Sequence, residues 1–397
     1  MASMTLVGGL VFDGTGTAPF RADVRVEDSK IVEVGTDLER DGAIDITGRT
    51  ILPGLIDCHS HVAYSDMPGP EEAMSRSGTY NAFQAIAGLR ATLAGGVTSV
   101  RDAGGADAGL RRAVEEGLLP GPRMLVSLMQ LSPSAGPYDA RTPSGLDAWI
   151  DRSGIPRPLA DGVDGVRAKV REYVQAGADV IKIFATGNLS MARGGARRQL
   201  FRDEELQAIV DEARAQGLSV MAHAHGGPGA EAAARAGVTS IEHGLFLDDA
   251  ALEAMRECGT VLVPTLLASA GLVEDAANES EAERMLTVAQ GHRAVVREAH
   301  RLGVTIAMGT DCPVVAHGRN LEELSLLADC GLSPTEALVA ATSIAARLLG
   351  IEDEVGTIEP GKRADLVIVT GDVLNVATIG QRIDSVYRDG VRVGDLG

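Results

Sequence analysis

The chain has 397 residues, 45% of them hydrophobic, and its 55 acidic side chains outnumber 36 basic ones, giving a net charge of −19. This acidity excludes a general attraction to nucleic-acid phosphates or anionic lipids. No apolar run reaches the roughly 20 residues of a membrane-spanning helix, and the N-terminus lacks the basic start and apolar stretch of a secretory signal. We therefore expect a soluble, cytoplasmic protein that binds neither nucleic acid nor membranes.

The two ends of the chain share a pattern of short strands separated by turn residues. TLVGGLVFD, ADVRVED, KIVEVG and AIDITG near the N-terminus resemble ADLVIVTGD and SVYRDGVRV near the C-terminus in this respect. Short apolar or alternating runs broken by Gly and Asp are typical of strands and turns. The pattern predicts that residues 1–52 and 351–397 form one small β domain around a central domain of residues 53–350.

Within the central domain, amphipathic helical stretches alternate with short apolar runs, which is typical of a parallel α/β sheet. Five times a Gly closes a helix and β-branched residues follow at once, in GGVTSVRD, AGADVIKI, QGLSVMAH, AGVTSIEH and LGVTIAMGTD. With GLIDCHSH, PRMLVSL and TVLVPTL these segments give eight candidate strands, the number in a (β/α)8 barrel. A doubly wound open sheet is the alternative, but no early strand is followed by a glycine-rich phosphate loop.

Ionisable residues stand where several of these strands end, which is where barrel enzymes carry their active sites. His59 and His61 are two residues apart, so their side chains point the same way from a strand. His223, His243 and Asp311 end three further strands. Imidazole and carboxylate groups are the ligands of hydrolytic zinc, iron or manganese, so the five residues predict a metal site, with scattered surface or core histidines as the alternative.

Lys182 lies inside DVIKIF, a strand expected to be buried on both faces. Burial favours the neutral amine of such a lysine, and a neutral amine can react with CO2 to give an anionic carbamate able to bridge two metal ions. The alternatives are a salt-bridged core lysine and an uncarboxylated catalytic lysine.

The motifs that carry these residues resemble the amidohydrolase superfamily, closest to its imidazolonepropionase-like and prolidase-like (Xaa-Pro dipeptidase-like) branch. They are GLIDCHSH, the lysine of DVIKIFATG, MAHAHG, SIEHG, GTD, HGRNLEEL and GTIEPGKRADLVIV. The resemblance implies a TIM barrel with a discontinuous β-sandwich and two divalent metal ions, usually zinc. It also implies the ligands of each ion: His59, His61 and Asp311 for the first, His223 and His243 for the second, and N6-carboxylated Lys182 between them.

The expected mechanism is attack of a metal-bridging hydroxide on a carbonyl that one metal ion polarises. Asp311 takes the proton of the attacking water and passes it to the leaving nitrogen. His225, two residues after His223, is predicted to contact the substrate, with orientation of a metal ligand as the alternative.

Two long loops are expected to select the substrate. The segment NLSMARGGARRQLF carries Arg193 and Arg197, which can bind a substrate carboxylate, or be solvated or contact another subunit. The other loop, MQLSPSAGPYDARTPSG, lacks the Gly-Gly-His that the related branch often carries there. Tyr138 is the candidate for replacing that histidine as a hydrogen-bond donor.

These features predict a binuclear amidohydrolase that cleaves a C–N bond of a small amide, either a dipeptide such as Xaa-Pro or Xaa-Arg or an N-acyl amino acid. The alternative enzyme is a cyclic-amide, urea or carbamate hydrolase that acts on a xenobiotic. A non-catalytic barrel would have lost ligands, and all six are present. The acidic surface and large barrel suit a homo-oligomer.

Overall fold

The protein is described here by a computed structural model, which covers residues 3–38, 42–66, 72, 75–189 and 195–394. Its strands are β1 (Ser3–Val7), β2 (Leu10–Val11), β3 (Phe20–Arg21), β4 (Asp23–Glu27), β5 (Lys30–Gly35), β6 (Ile44–Asp45), β7 (Arg49–Pro53), β8 (Leu55–Ser60), β9 (Val97–Asp102), β10 (Arg123–Val126), β11 (Val180–Phe184), β12 (Ser219–Gly226), β13 (Ser240–Phe246), β14 (Val261–Val263), β15 (Leu366–Thr370), β16 (Ile383–Arg388) and β17 (Val391–Arg392).

Helices separate the central strands from one another. They are α1 (Gly78–Ala94), α2 (Ala108–Glu115), α3 (Gly162–Gln175), α4 (Asp203–Ala215), α5 (Pro228–Ala236), α6 (Asp249–Cys258), α7 (Leu266–Glu274), α8 (Glu279–Arg301), α9 (Glu322–Asp329), α10 (Pro334–Ala340) and α11 (Ser343–Leu349). Gly237 ends α5 in the left-handed conformation, with φ of 91°, and β13 begins three residues later. Across the described ranges, no helix is both long and apolar enough to cross a membrane.

Strands from the two ends of the chain are paired in one sheet, in the order β17-β16-β15-β7-β2-β3. The C-terminal strand β15 runs antiparallel to the N-terminal β7, with Val367 opposite Leu52. A second sheet, β5-β4-β1-β6, packs against it through buried apolar side chains of both ends, among them Leu6, Val24 and Ile368. Buried apolar side chains from the two ends of the chain therefore belong to one cluster.

The central strands form two parallel sheets, β10-β9-β8 and β11-β12-β13-β14. Single parallel pairings extend them: Leu131, which follows β10, pairs with Ile183 of β11, and Leu262 of β14 pairs with Ile306. Seven of the eight expected strands are regular, whereas the segment around 306–312 makes only single pairings, the second of them between Cys312 and Ser60. Its extended conformation is interrupted at Asp311, whose φ is 62°.

Candidate metal centre

Three of the predicted ligands meet where β8 and the segment around residue 311 lie side by side. The His59 and His61 Nε2 atoms lie 3.3 and 3.1 Å from Oδ1 of Asp311. One ligand atom from each residue falls within 4.8 Å of the others. Two imidazoles and a carboxylate at this spacing can share one divalent ion.

The other predicted residues at the strand ends join this group. The His243 ring lies 4.7 Å from that of His59 and 4.6 Å from that of His223, measured between ring centroids. The His225 ring lies 4.4 Å from that of His223. Together with Lys182, these side chains line one cavity of about 320 Å³. We call it the metal cavity.

Several polar atoms in the metal cavity are buried without a hydrogen-bond partner among the described residues. They are Nζ of Lys182, Nε2 of His223 and Nδ1 of His225. A buried polar atom that finds no partner is costly, and a bound ion or a catalytic role is among the reasons that a native fold retains one. The donor set therefore fits divalent metal ions.

Hydrogen bonds on the far side of three imidazoles fix how each ring faces the cavity. The His59 Nδ1 atom lies 2.6 Å from Oε2 of Glu242, and the His61 Nδ1 atom lies 2.8 Å from the Gly104 carbonyl. The His243 Nδ1 atom lies 2.8 Å from Oγ1 of Thr265. Such partners orient metal-binding imidazoles and leave the other ring nitrogen for the ion.

Glu242 and Arg101 form a buried ion pair beneath the ligands, which the sequence analysis did not single out. The Arg101 Nη2 atom donates to Oε1 of Glu242 at 3.0 Å, and its Nε atom donates to the Cys58 carbonyl at 2.7 Å. Both side chains are at most 1% exposed. A charged residue inside a strand buried on both faces was the signal that marked Lys182, and it applies equally to these two residues.

Buried carboxylates also position the backbone around Asp311. The Asp57 carboxylate accepts hydrogen bonds from the Thr310 hydroxyl at 2.6 Å and the Asn320 amide at 2.8 Å. The Asp311 N–H donates to the His59 carbonyl at 2.7 Å. These bonds hold Asp311 in its left-handed conformation, which is uncommon for a residue other than glycine, and direct its carboxylate at the two histidines.

The surroundings shift the protonation of these groups in opposite directions. Burial alone would raise the pKa of Asp311, but hydrogen bonds with His59 and His61 outweigh it and hold that pKa well below its ordinary value. Burial lowers the pKa of Lys182 to about 8, although the negative charges of Glu242 and Asp311 act to raise it. Burial likewise lowers the pKa of His225 to about 3. Asp311 is therefore ionised at neutral pH, and His225 is neutral.

The chain matches the model of the amidohydrolase family over residues 50–393. It belongs to the amidohydrolase family. It is 31% identical to ochratoxinase from Aspergillus niger, over 92% of this chain and 81% of the relative. It is 28% identical to imidazolonepropionase from Geobacillus sp. (strain WCH70), over 87% of this chain and 82% of the relative.

A solved structure of a prolidase complexed with N-methylphosphonate-L-proline superposes on this amidohydrolase with a TM-score of 0.89. The two chains are 35% identical, and the match covers 98% of this chain and 99% of the other. The family confirms the predicted resemblance and implies the α/β TIM-barrel fold. The protein is a hydrolase acting on carbon–nitrogen bonds, and its His-His-Asp group agrees with the family's general use of divalent metal.

The residues predicted to contact the substrate of this amidohydrolase lie in different places. The Tyr138 ring is 5.6 Å from that of Phe184, a residue lining the metal cavity. Burial and the nearby Tyr64 raise the pKa of Tyr138, so its hydroxyl stays protonated. Arg197 is exposed, with its guanidinium carbon 5.0 Å from the ring centroid of Phe246. Arg193 lies outside the described residues.

Proposed function

We propose that this amidohydrolase cleaves the C–N amide bond of a small substrate, either a dipeptide such as Xaa-Pro or Xaa-Arg or an N-acyl amino acid. The observation that carries the proposal is the convergence of His59, His61 and Asp311 with the unpartnered atoms of Lys182 and His223 on one cavity. The prolidase complexed with a proline derivative supports the substrate class.

For the centre itself we propose two divalent ions, with zinc as the first choice. His59, His61 and Asp311 would hold one ion, His223 and His243 the other, and carboxylated Lys182 would bridge them. The carbamate would form when the neutral Lys182 amine bonds to the carbon of CO2, one C–O π bond opens to leave a negative oxygen, and the nitrogen releases a proton to water. The lack of a partner for Nζ among the described residues and the lowered pKa of Lys182 both support this modification.

The chain's own residues would supply binding, orientation and proton transfer. When bound, the metal ions would lower the pKa of a bridging water to give the attacking hydroxide and would polarise the substrate carbonyl. Asp311, ionised and at the centre of the ligand group, takes the proton of the attacking water and returns it to the leaving nitrogen. The neutral His225 imidazole and the Tyr138 hydroxyl donate hydrogen bonds to the substrate carbonyl.

For the architecture we propose that eight parallel segments close into the barrel and that residues 1–52 and 351–397 form its β-sandwich companion. The single pairings of Leu262 with Ile306 and of Ser60 with Cys312 support closure, because they connect the two central sheets through the segment around 306–312. The pairing of β7 with β15 supports a domain shared by both termini.

A second candidate is a cyclic-amide, urea or carbamate hydrolase. The described residues that line the metal cavity include no arginine, and apolar side chains form much of its wall: Phe184, Leu189, Leu245, Leu272 and Val314. Such a wall suits a neutral, apolar substrate.

Two measurements test the proposal. Removing the metal with a chelator should abolish hydrolysis, and adding zinc should restore it, with about two ions bound per chain. A screen of Xaa-Pro, Xaa-Arg and N-acyl amino acids beside cyclic amides and aryl ureas should show turnover in the first three groups. Turnover confined to cyclic amides and ureas would favour the second candidate, and full activity without metal would refute both.

A further inference from the structure

A second cavity, of about 380 Å³, has Tyr64 and Gly105 on its wall. Its wall contacts that of the metal cavity, since the Gly104 carbonyl accepts from His61, which lines the metal cavity, and the next residue, Gly105, lines the second cavity. Tyr64 lines it too, and its ring centroid lies 6.5 Å from that of His61. We call it the Arg152 cavity, after the cation on its wall.

Arg152 presents a guanidinium without a carboxylate partner among the described residues. Its Nη1 atom donates to the Tyr64 hydroxyl at 2.7 Å, and its guanidinium carbon lies 5.6 Å from the centroid of the Tyr64 ring. Both contacts orient the side chain, and neither neutralises its charge. A guanidinium with free N–H donors is suited to pairing with a carboxylate through two parallel hydrogen bonds.

The other charged groups on this wall, among the described residues, already take part in ion pairs or hydrogen bonds. Arg76 pairs with Asp66 through contacts of 2.6 and 2.8 Å. Asp107 accepts from the Leu110 N–H at 2.8 Å, and Asp151 accepts from the Trp149 indole at 2.9 Å. Within the described part of this wall, Arg152 is therefore the cation available to a ligand, and the uncharged residues are mainly apolar, including Ala63, Ala82, Ala85, Leu110, Ile150 and Ile155.

The backbone of Arg152 is fixed in a tight turn. The Ile155 N–H donates to the Arg152 carbonyl at 3.2 Å, and Ile155 itself is buried. Gly154 in this turn has φ of 78°, and a Cβ there would lie 3.2 Å from Oδ2 of Asp107. The turn therefore packs closely on the start of α2, and the guanidinium is positioned before any ligand arrives.

We propose that the Arg152 cavity receives the carboxylate-bearing part of the substrate and that Arg152 pairs with that carboxylate. This inference rests on the proposed hydrolysis of dipeptides or N-acyl amino acids, whose free carboxylate finds no arginine among the described residues lining the metal cavity. Tyr64 stands between His61 and Arg152. Arg152 would therefore pair with a carboxylate that lies on the Tyr64 side of the metal cavity.

Calorimetric binding of free amino acids to the zinc-loaded enzyme tests this role directly. The probes are L-proline, L-leucine, L-phenylalanine and L-methionine, each beside its primary amide. Wild type should bind at least one acid more tightly than its amide. Arg152→Gln should lower the affinity for that acid about 10- to 100-fold, as expected for losing hydrogen bonds between charged groups. The affinity for the amide should be unchanged. Arg152→Lys, which keeps the charge, should give an intermediate affinity.

Arg157→Gln is the matched control, since Arg157 is in the same loop and pairs with Asp147 at 2.7 Å without lining either cavity. It should bind the acids as wild type does. Equal acid affinity in Arg152→Gln and wild type, or no acid binding by wild type, would overturn the inference. Failure of the proposed function is a different result, namely no hydrolysis of any dipeptide or N-acyl amino acid by the metal-loaded wild type.

Discussion

The carboxylate of Glu242 accepts a hydrogen bond from Nδ1 of His59 at 2.6 Å across the central sheets, from β13 to β8. Its other oxygen pairs with Arg101 of β9 at 3.0 Å. Burial would raise the pKa of Glu242, but the charge of Arg101 and the bond with His59 outweigh it and lower that pKa to about 2. Glu242 therefore stays ionised and sets the orientation in which His59 faces Asp311.

Glu242→Gln should weaken both metal binding and the fold. The amide can still accept from His59, but it leaves the buried Arg101 without its counter-charge. We expect metal affinity to fall by about 10- to 100-fold, as for other partners of metal-binding histidines. We expect the free energy of unfolding to fall by about 3–5 kcal/mol, as for a broken buried ion pair. Titration with a metal chelator and urea unfolding measure the two effects.

The control for Glu242 is Glu253→Gln, which breaks an exposed ion pair with Arg256. Exposed pairs contribute little, so metal affinity and stability should stay near those of wild type. Unchanged chelator titration in Glu242→Gln would show that Glu242 does not orient His59.

Tyr138→Phe should lower kcat about 100- to 1,000-fold with little change in KM, as for removal of a donor to the reacting carbonyl. The raised pKa of Tyr138 means that its hydroxyl remains a hydrogen-bond donor through neutral pH. Steady-state kinetics on the best substrate measure the effect. Tyr173→Phe is the control, because that buried hydroxyl has no hydrogen-bond partner in the part of the chain described. A rise in KM alone would assign Tyr138 to substrate packing.

The sequence predicts the residues of the candidate metal centre better than their surroundings. His59, His61 and Asp311 stand out because ionisable residues directly follow apolar strands, and the structure brings them together. Arg101 and Glu242 carry a comparable signal, but the sequence does not say that they neutralise each other. Their pairing depends on which strands are neighbours.

The Arg152 cavity could not be predicted, since Tyr64 and Arg152 are 88 residues apart in loops after different strands. The irregular conformation of the eighth segment could not be predicted from the sequence either. Its sequence, LGVTIAMGTD, predicts a strand, whereas the left-handed Asp311 arises from its bonds to a neighbouring strand. The local sequence pattern thus locates the strand ends. Which side chains lie opposite those ends depends on how the loops pack on one another.

Glu323 should make the stability of the fold depend on pH. It is buried in α9 and accepts from the Leu266 and Leu267 N–H groups at 2.9 and 2.7 Å. Burial outweighs these bonds and raises its pKa to about 8 from an ordinary value of 4.5. Because the folded state holds this proton more tightly than the unfolded state, the stabilisation is complete below pH 4.5 and is lost as the pH rises through about 8.

Urea unfolding of the zinc-loaded protein at pH 5, 7 and 9 measures this dependence. Between about pH 4.5 and 8, the free energy of unfolding of wild type should fall relative to that of Glu323→Gln by up to about 1.4 kcal/mol per pH unit. Glu322→Gln, at the exposed neighbouring position, should follow wild type. If the free energies of unfolding of wild type and Glu323→Gln changed in parallel with pH, Glu323 would have the same pKa in the folded and unfolded states.

Lys182→Met should separate metal binding from folding. Lys182 is 1% exposed and its Nζ has no partner among the described residues, so an apolar side chain of similar length removes an uncompensated amine. We therefore expect the metal-free variant to unfold at the same temperature as wild type or higher. Because the variant cannot form the proposed carbamate, bound metal should fall from the proposed two ions to one or none per chain, and kcat/KM should fall at least about 100-fold. Calorimetric melting, elemental analysis and kinetics measure the melting temperature, the bound metal and kcat/KM.

Lys169→Met, which alters a surface pair with Glu172, should keep its metal and activity. Two ions and full activity in Lys182→Met would contradict the bridge.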